Sequence, residues 1–294
     1  MRKSFFYFER VLFSPKIYDF PIIFLLLPFS IIFFGFTFFN ALRKHLIAKK
    51  FPIKVIGVGN LVLGGTGKTP ITISLAKNVD EVAIVLRGYG RKSRGIIHIS
   101  EWGKILENVE ISGDEAMLYA KSLSNASVIV SENRENGIKK AISIGAKTVF
   151  LDDSYRQHQI YKDVEFIIES NTKNFLPFPA GAYRERLWFF KKNIQILKEN
   201  IDFERKVSFS QDKNLVLVTA ISKPERLSKF VDEIPKYFFP DHHNFTKNEL
   251  VQILEKSGKT KILTTEKDFV KIEKFGFDVE ILKLEIIWKR EIEI

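Results

Sequence analysis

The sequence has no cysteine, which rules out disulfide staples and any thiolate zinc site and fits a reducing compartment. It also lacks an RNA-recognition, helix-turn-helix or zinc-finger pattern. The surplus of bases, net +11, therefore points less to nucleic acid than to an anionic membrane face or a phosphorylated substrate. There is no internal repeat and no low-complexity tail, and no obligatory protein partner is evident. At 294 residues the chain can build two α/β domains or one large one around a sizeable core.

What is present begins with an apolar run over residues 20–39, rich in Phe, Ile and Leu. A helix of about 20 such residues matches a hydrocarbon layer roughly 30 Å thick. Pro28 falls inside it, a position that membrane helices tolerate when neighbours satisfy the freed carbonyl. The run starts late and ends without a small-x-small cleavage site, unlike a signal peptide. It reads as a membrane anchor, with an interfacial hairpin or a buried core helix as the other readings. Four cations lie on each side of it, so charge asymmetry leaves the orientation open.

After this segment, short apolar runs alternate with helical patterns. The runs at 53–58, 81–86, 127–130, 148–151 and 165–168 predict strands, and 114–123 and 134–144 predict helices. Such alternation indicates a mostly parallel sheet with helices on both faces. Past the punctuating Pro177-Phe178-Pro179-Ala180-Gly181, strands at 215–220 and 261–264 and helices at 225–233 and 247–257 form a second, smaller α/β region. The expected organisation is an anchor over 1–45, a core domain over 46–205 and a C-terminal domain over 206–294.

The segment Gly64-Gly65-Thr66-Gly67-Lys68-Thr69-Pro70 follows the first of these strands and leads into a helical stretch at 71–78. Backbone N–H groups of a glycine-rich turn at a helix N-terminus form a cradle for phosphate oxygens. Lys68 adds a point charge for the β- and γ-phosphates, and the Thr69 hydroxyl is placed to hold Mg²⁺. Pro70 suits a first helical turn, where no N–H partner is lost. The spacing G-x-x-x-x-G-K-[ST] would put glycine at 62, where Val62 stands. The bland alternative is a glycine-rich turn with an incidental lysine, but the strand–loop–helix context supports a nucleoside triphosphate as the ligand.

Other constellations fit around such a ligand. The strand at 148–151 ends in Asp152-Asp153, where a carboxylate can hold Mg²⁺ directly or through water. Asp114 opens a helical segment, either as an N-cap or as a carboxylate that takes a proton from an attacking hydroxyl. Asp241-His242-His243 lies in a loop. Adjacent histidines of an extended chain face opposite ways, which disfavours a shared metal site; His242 reads either as a carboxylate-paired acid/base unit or as part of a plain surface loop. Arg87-Gly88-Tyr89-Gly90-Arg91 is either a glycine-spaced basic loop for an anionic ligand or a solvated turn. The 179–185 loop is of the same type, with Arg184 as its anion clamp. Thr265-Glu266-Lys267-Asp268 does not give the Asn-Lys-x-Asp pattern that reads guanine, which disfavours GTP. A membrane-anchored ATPase and a nucleotide sensor share the phosphate loop; the two basic loops favour an enzyme with an acceptor.

In this order, Val58-Gly59-Asn60-Leu61, the glycine segment through Pro70, Arg87 to Arg91, Gly113-Asp114-Glu115, Leu151-Asp152-Asp153, Pro179-Ala180-Gly181, Arg184-Glu185, Pro224-Glu225-Arg226, Asp241-His242 and Thr265 to Asp268 resemble the tetraacyldisaccharide 4′-kinase family, the lipid A 4′-kinases of Gram-negative bacteria. The chain departs from the family where Asp-Asp-Gly-Phe-Gln-His becomes Asp152 to His158 with Ser154-Tyr155-Arg156-Gln157 between, and where family prolines are Ala116 and Ala182. The resemblance implies a P-loop NTPase-type core with a smaller α/β domain. It also implies transfer of the ATP γ-phosphoryl group to the 4′-hydroxyl of a tetraacylated glucosamine disaccharide 1-phosphate, at the cytoplasmic face of the bacterial inner membrane. By position, Asp114 would be the base and His242 its partner. Lys68 would act on the phosphates bound by Gly64, Gly65, Thr66, Gly67 and Thr69, and Thr69, Asp152 and Asp153 would hold Mg²⁺. Arg87, Tyr89, Arg91 and Arg184 would bind the lipid disaccharide.

Overall fold

The computed structural model describes residues 2–210, 212–228 and 230–294. Compactness divides the chain into one unit running up to Lys68 together with Asp153–Lys198, and a second made of Thr69–Asp152 and Glu199–Ile294.

In the first unit, helix Arg2–Phe13 is followed by the 27-residue helix Phe20–Leu46, with Pro28 inside. A bidentate ion pair ties the two together, Arg10 Nη1 and Nη2 reaching the Asp19 carboxylate at 2.5 and 2.8 Å. The long helix is apolar almost all round, yet only a narrow stripe is buried: Ile23, Ser30, Thr37 and Ala41. They are spaced by about two turns, two turns and then one, so they share one side. Small residues at 30 and 41 allow close approach. Ser30 Oγ accepts a 2.8 Å hydrogen bond from the Ala180 amide, and Ala41 packs with Tyr155, Ile167 and Trp188. The rings of Phe34 and Phe38 lie 5.7 and 5.5 Å from that of Trp188. On the outside, Phe24, Leu25, Phe29, Ile31, Ile32, Phe36 and Phe39 are exposed. Residues Ile17–Leu46 are long and apolar enough to cross a membrane.

Behind this helix, strand Lys54–Gly59 pairs in parallel with Val164–Ile168, which pairs in parallel with Ile194–Leu197. Five of the six residues of the first strand are buried, as expected of a strand covered on both faces. Glu165, buried within this sheet, is held by Lys162 at 2.7 Å and by Lys191.

The second unit contains two sheets. One has the order Lys104–Ile105, Ile97–Glu101, Ser127–Val130, Val82–Leu86, Thr148–Asp152; its last three strands are parallel and the first two antiparallel. The other runs Lys236–Phe238, Leu215–Thr219, Lys261–Thr265, Val279–Trp288, Phe203–Ser208, parallel except for the final pair. Helix ends carry the chemistry they need. Asn133 caps Arg134–Ser143 through its side chain, and Thr246 with Glu249 forms a capping box on Lys247–Ser257, which Gly258 closes in a left-handed turn. Each such cap contributes about 1 kcal/mol. Of the helix expected at 225–233, Glu225–Ser228 is described as helical, and Phe230 and Val231 beyond it pack with Leu215 and Leu217.

Candidate active site

Strand Lys54–Gly59 delivers the chain into a turn in which Gly64 and Gly67 both adopt positive φ, 81° and 73°. The helix Lys68–Ala76 then begins at the lysine. Bulkier residues would strain at such angles, so glycine lets the backbone curl at this helix start. Asn60 holds the turn from beneath. It is buried, and its Nδ2 donates to the carbonyls of Val62 and Gly64 at 3.0 and 3.3 Å. Thr66 is buried, Gly65 is half-buried, and Thr69 lies in the first turn of the helix.

The side of the turn is zipped to residues 182–185. Leu63 N donates to Ala182 O at 2.9 Å, and the amides of Arg184 and Glu185 donate to Leu61 O at 2.9 and 3.1 Å. This places Arg184 beside Lys68. Lys68 Nζ lies 3.3 Å from Asn60 Oδ1 and 3.3 Å from Asp153 Oδ1. Arg184 Nη2 reaches the same two oxygens at 3.0 and 2.9 Å. Under this loop Glu185 accepts from Trp188 Nε1 at 2.9 Å and meets His158 Nε2 at 3.5 Å. Burial pushes the His158 imidazole below its ordinary value, against the pull of Glu185. His158 therefore supports the loop from within the fold.

The two consecutive aspartates have different surroundings. Asp152 is buried at its strand end, whereas the Asp153 side chain is 47% exposed and its backbone is left-handed, φ 48°. Fully buried Tyr119 lies near Asp152; burial first, and then that carboxylate, push its phenol well above the ordinary value.

In the second unit, helix Asp114–Ser122 packs against helix Glu266–Ile272, and a polar cluster forms at one end. His242 Nδ1 lies 3.0 and 2.9 Å from the two oxygens of Asp114. Lys267 Nζ stands 3.9 Å and Lys271 Nζ 3.6 Å from Asp114 Oδ2. Lys267 also pairs with Glu115 and Asp241, at 3.5 and 3.3 Å. Burial pushes the Asp114 carboxyl up, but the His242 hydrogen bond, Lys267, the His242 charge and Lys271 together leave it below its ordinary value. Burial likewise opposes the charge of Lys267, yet Glu115, Asp114, Asp241 and Asp268 hold it above its ordinary value. His242 has φ 61°, a conformation that costs about 1–3 kcal/mol in a residue with a Cβ and is concentrated at functional sites. His243 turns away to Glu249 at 3.2 Å.

The 87–91 loop is built against this cluster. The Tyr89 ring is 4.8 Å from that of His242 and is 61% exposed. Arg91 is committed to the loop itself: Nη2 donates to Gly95 O at 2.7 Å and pairs with Glu132, and Nη1 donates to Ser93 Oγ at 3.2 Å. Arg87 is exposed.

Comparison with known proteins matches this arrangement to one family. The family model for tetraacyldisaccharide-1-P 4′-kinase, LpxK, aligns with residues 22–205 and 191–294. Curated tetraacyldisaccharide 4′-kinases are 43% identical in Aliarcobacter butzleri, over 92% of this chain and 88% of that protein, and 38% identical in Helicobacter pylori, over 95% and 90%. The chain belongs to the tetraacyldisaccharide-1-P 4′-kinase family. A crystal structure of the "apo" form of LpxK from Aquifex aeolicus in complex with ATP superposes with a TM-score of 0.71 at 26% identity, covering 92% of this chain and 96% of that one.

Within the site of this family member, four residues escaped the sequence reading. Asn60 was one position in a motif without a role, and Tyr119 lay inside an ordinary helix. Lys267 and Lys271 stand four apart with Asp268 between them, so they share a helix face. That spacing is a visible signal of a paired cationic wall, but it gives no hint of the carboxylate it faces.

Proposed function

We infer that this chain transfers the γ-phosphoryl group of ATP to the 4′-hydroxyl of a tetraacylated glucosamine disaccharide 1-phosphate in lipid A biosynthesis. The observation that carries this reading is the Asn60-braced glycine turn with Lys68 at its helix start, in a chain of this family. Gly64, Gly65, Thr66, Gly67 and Thr69 line the triphosphate, and Lys68 supplies the charge for its outer phosphates. The acceptor oxygen forms a bond to the γ-phosphorus, the bond from that phosphorus to the β–γ bridging oxygen breaks, and ADP leaves. The hydroxyl proton passes to the Asp114–His242 pair. Because phosphoryl transfer has a loose transition state, positioning and charge neutralisation matter more than the base.

Thr69, Asp152 and Asp153 are hard oxygen donors, which suit Mg²⁺. Among the described residues, no group of three or more His, Cys, Asp and Glu side chains forms a metal cage. That agrees with an ion held by one or two carboxylates together with phosphate oxygens. Bound there, Mg²⁺ would neutralise phosphate charge.

On the acceptor side, exposed Arg87 and the exposed part of Tyr89 would meet the sugar phosphate, while Arg91 shapes their loop. The long helix, seated along one side through Ile23 to Ala41, suits attachment within one leaflet of the inner membrane at its cytoplasmic face, where ATP is found. In this reading residues 1–45 attach the enzyme, 46–205 carry the phosphate loop and 206–294 form the smaller module. Incubating the purified protein with ATP, Mg²⁺ and a tetraacyl disaccharide 1-phosphate in detergent should add one phosphate, read by mass spectrometry. ATP hydrolysis indifferent to the lipid would instead indicate an ATPase.

A further inference from the structure

The sequence assigns Arg184 to the lipid acceptor, but its surroundings belong to the nucleotide. Its backbone is fixed by the entry to the glycine turn, through the hydrogen bond its amide donates to Leu61 O and the bridge between Val62 and Tyr183. Its Nη2 shares both of its acceptor atoms, Asn60 Oδ1 and Asp153 Oδ1, with Lys68 Nζ. Two cations that reach the same two oxygens serve the same small region. The side chain is only 19% exposed, a poor posture for catching a headgroup that arrives from a membrane. Its Nε–H is buried without a hydrogen-bond partner. An unmet buried donor destabilises the fold around it, a cost that an arriving acceptor oxygen would remove.

We propose that Arg184 contacts the transferring phosphoryl group of the nucleotide together with Lys68, and does not anchor the lipid acceptor. Asp153 Oδ1 marks the position: it is an anionic oxygen within reach of both donors, and a phosphoryl oxygen makes the same demand. The planar guanidinium can span two oxygens through Nη2 and Nε, as an ammonium cannot. As the bond to the β–γ bridging oxygen breaks, negative charge gathers on the leaving ADP, and a fixed cation beside it stabilises that shift.

The proposal rests on the kinase reading above, and its test separates the two. Full-length wild type, Arg184→Gln and Arg184→Lys are assayed with ATP, Mg²⁺ and the tetraacyl disaccharide 1-phosphate, with thermal unfolding recorded for each. If wild type adds no phosphate, the kinase reading itself fails. If it does, Arg184→Gln should lower kcat by about 10²-fold or more, with KM for the lipid acceptor within about twofold of wild type. Arg184→Lys should recover part of kcat at unchanged acceptor KM, and it serves as the test should the glutamine variant unfold. A rise of about tenfold or more in acceptor KM at unchanged kcat would return Arg184 to the lipid. Unchanged kcat and KM in both variants would remove it from the reaction.

Discussion

Asp114 is a buried carboxylate: His242 hydrogen-bonds both its oxygens, and the ammonium groups of Lys267 and Lys271 flank it. With its pKa lowered, its contribution is complete above the ordinary carboxylate value and is lost only as pH falls through the still lower folded value. Between about pH 6 and 8 it is ionised throughout. Asp114→Asn should therefore depress kcat by a similar factor, about 10²–10³-fold, at each pH in that window, with ATP binding retained. A variant deficit that vanished at one end of the range would contradict this. The same surroundings explain why sequence alone left Asp114 between cap and catalyst. Its decisive partner, His242, is 128 positions away.

Elements with the strongest apolar signal were the most legible. Val82–Leu86 and Ser127–Val130 are buried along their whole length, so each reads as an unbroken apolar run. Strand Val279–Trp288 went unseen because it faces solvent in part and interleaves Glu280, Lys283 and Glu285 with Ile and Leu. Phe203–Ser208, its antiparallel neighbour, is patterned the same way. The glycine turn was legible because its chemistry is local in sequence. The Lys68, Asp153 and Arg184 cluster was not, since three separate segments build it. The start of helix Asp114–Ser122 is packed against the 87–91 loop. Gly113 has φ 81°, and a Cβ there would lie 2.9 Å from the Tyr89 carbonyl oxygen. Gly113→Ala should cost about 1–3 kcal/mol in denaturant unfolding and, by pushing the 87–91 loop away, raise KM for the lipid acceptor more than for ATP. Equal stability of variant and wild type would show that the loop yields without strain.

At the scale of the whole molecule, a basic chain, net +11, carries a row of exposed Phe, Ile and Leu on a helix whose opposite side is fastened to protein. Cations near anionic headgroups and apolar residues in the acyl boundary reinforce each other. Ile32 and Phe36 are each 70% exposed. Replacing both with Glu should leave thermal unfolding unchanged while cutting co-flotation with vesicles containing anionic phospholipid by about tenfold or more. Undiminished flotation would rule out this face as the attachment surface.

Because the helix is bonded to the fold through Ser30 and Ala180, it is not a removable tether. Trimming it away to gain a soluble enzyme would strip the wall behind Tyr155 and Trp188 and open the interior to water. The surfactant that replaces the bilayer during purification would coat the outer face of this same helix. Catalytic rates measured in micelles should then follow how crowded the acceptor is within the surfactant phase, rather than its concentration in the tube.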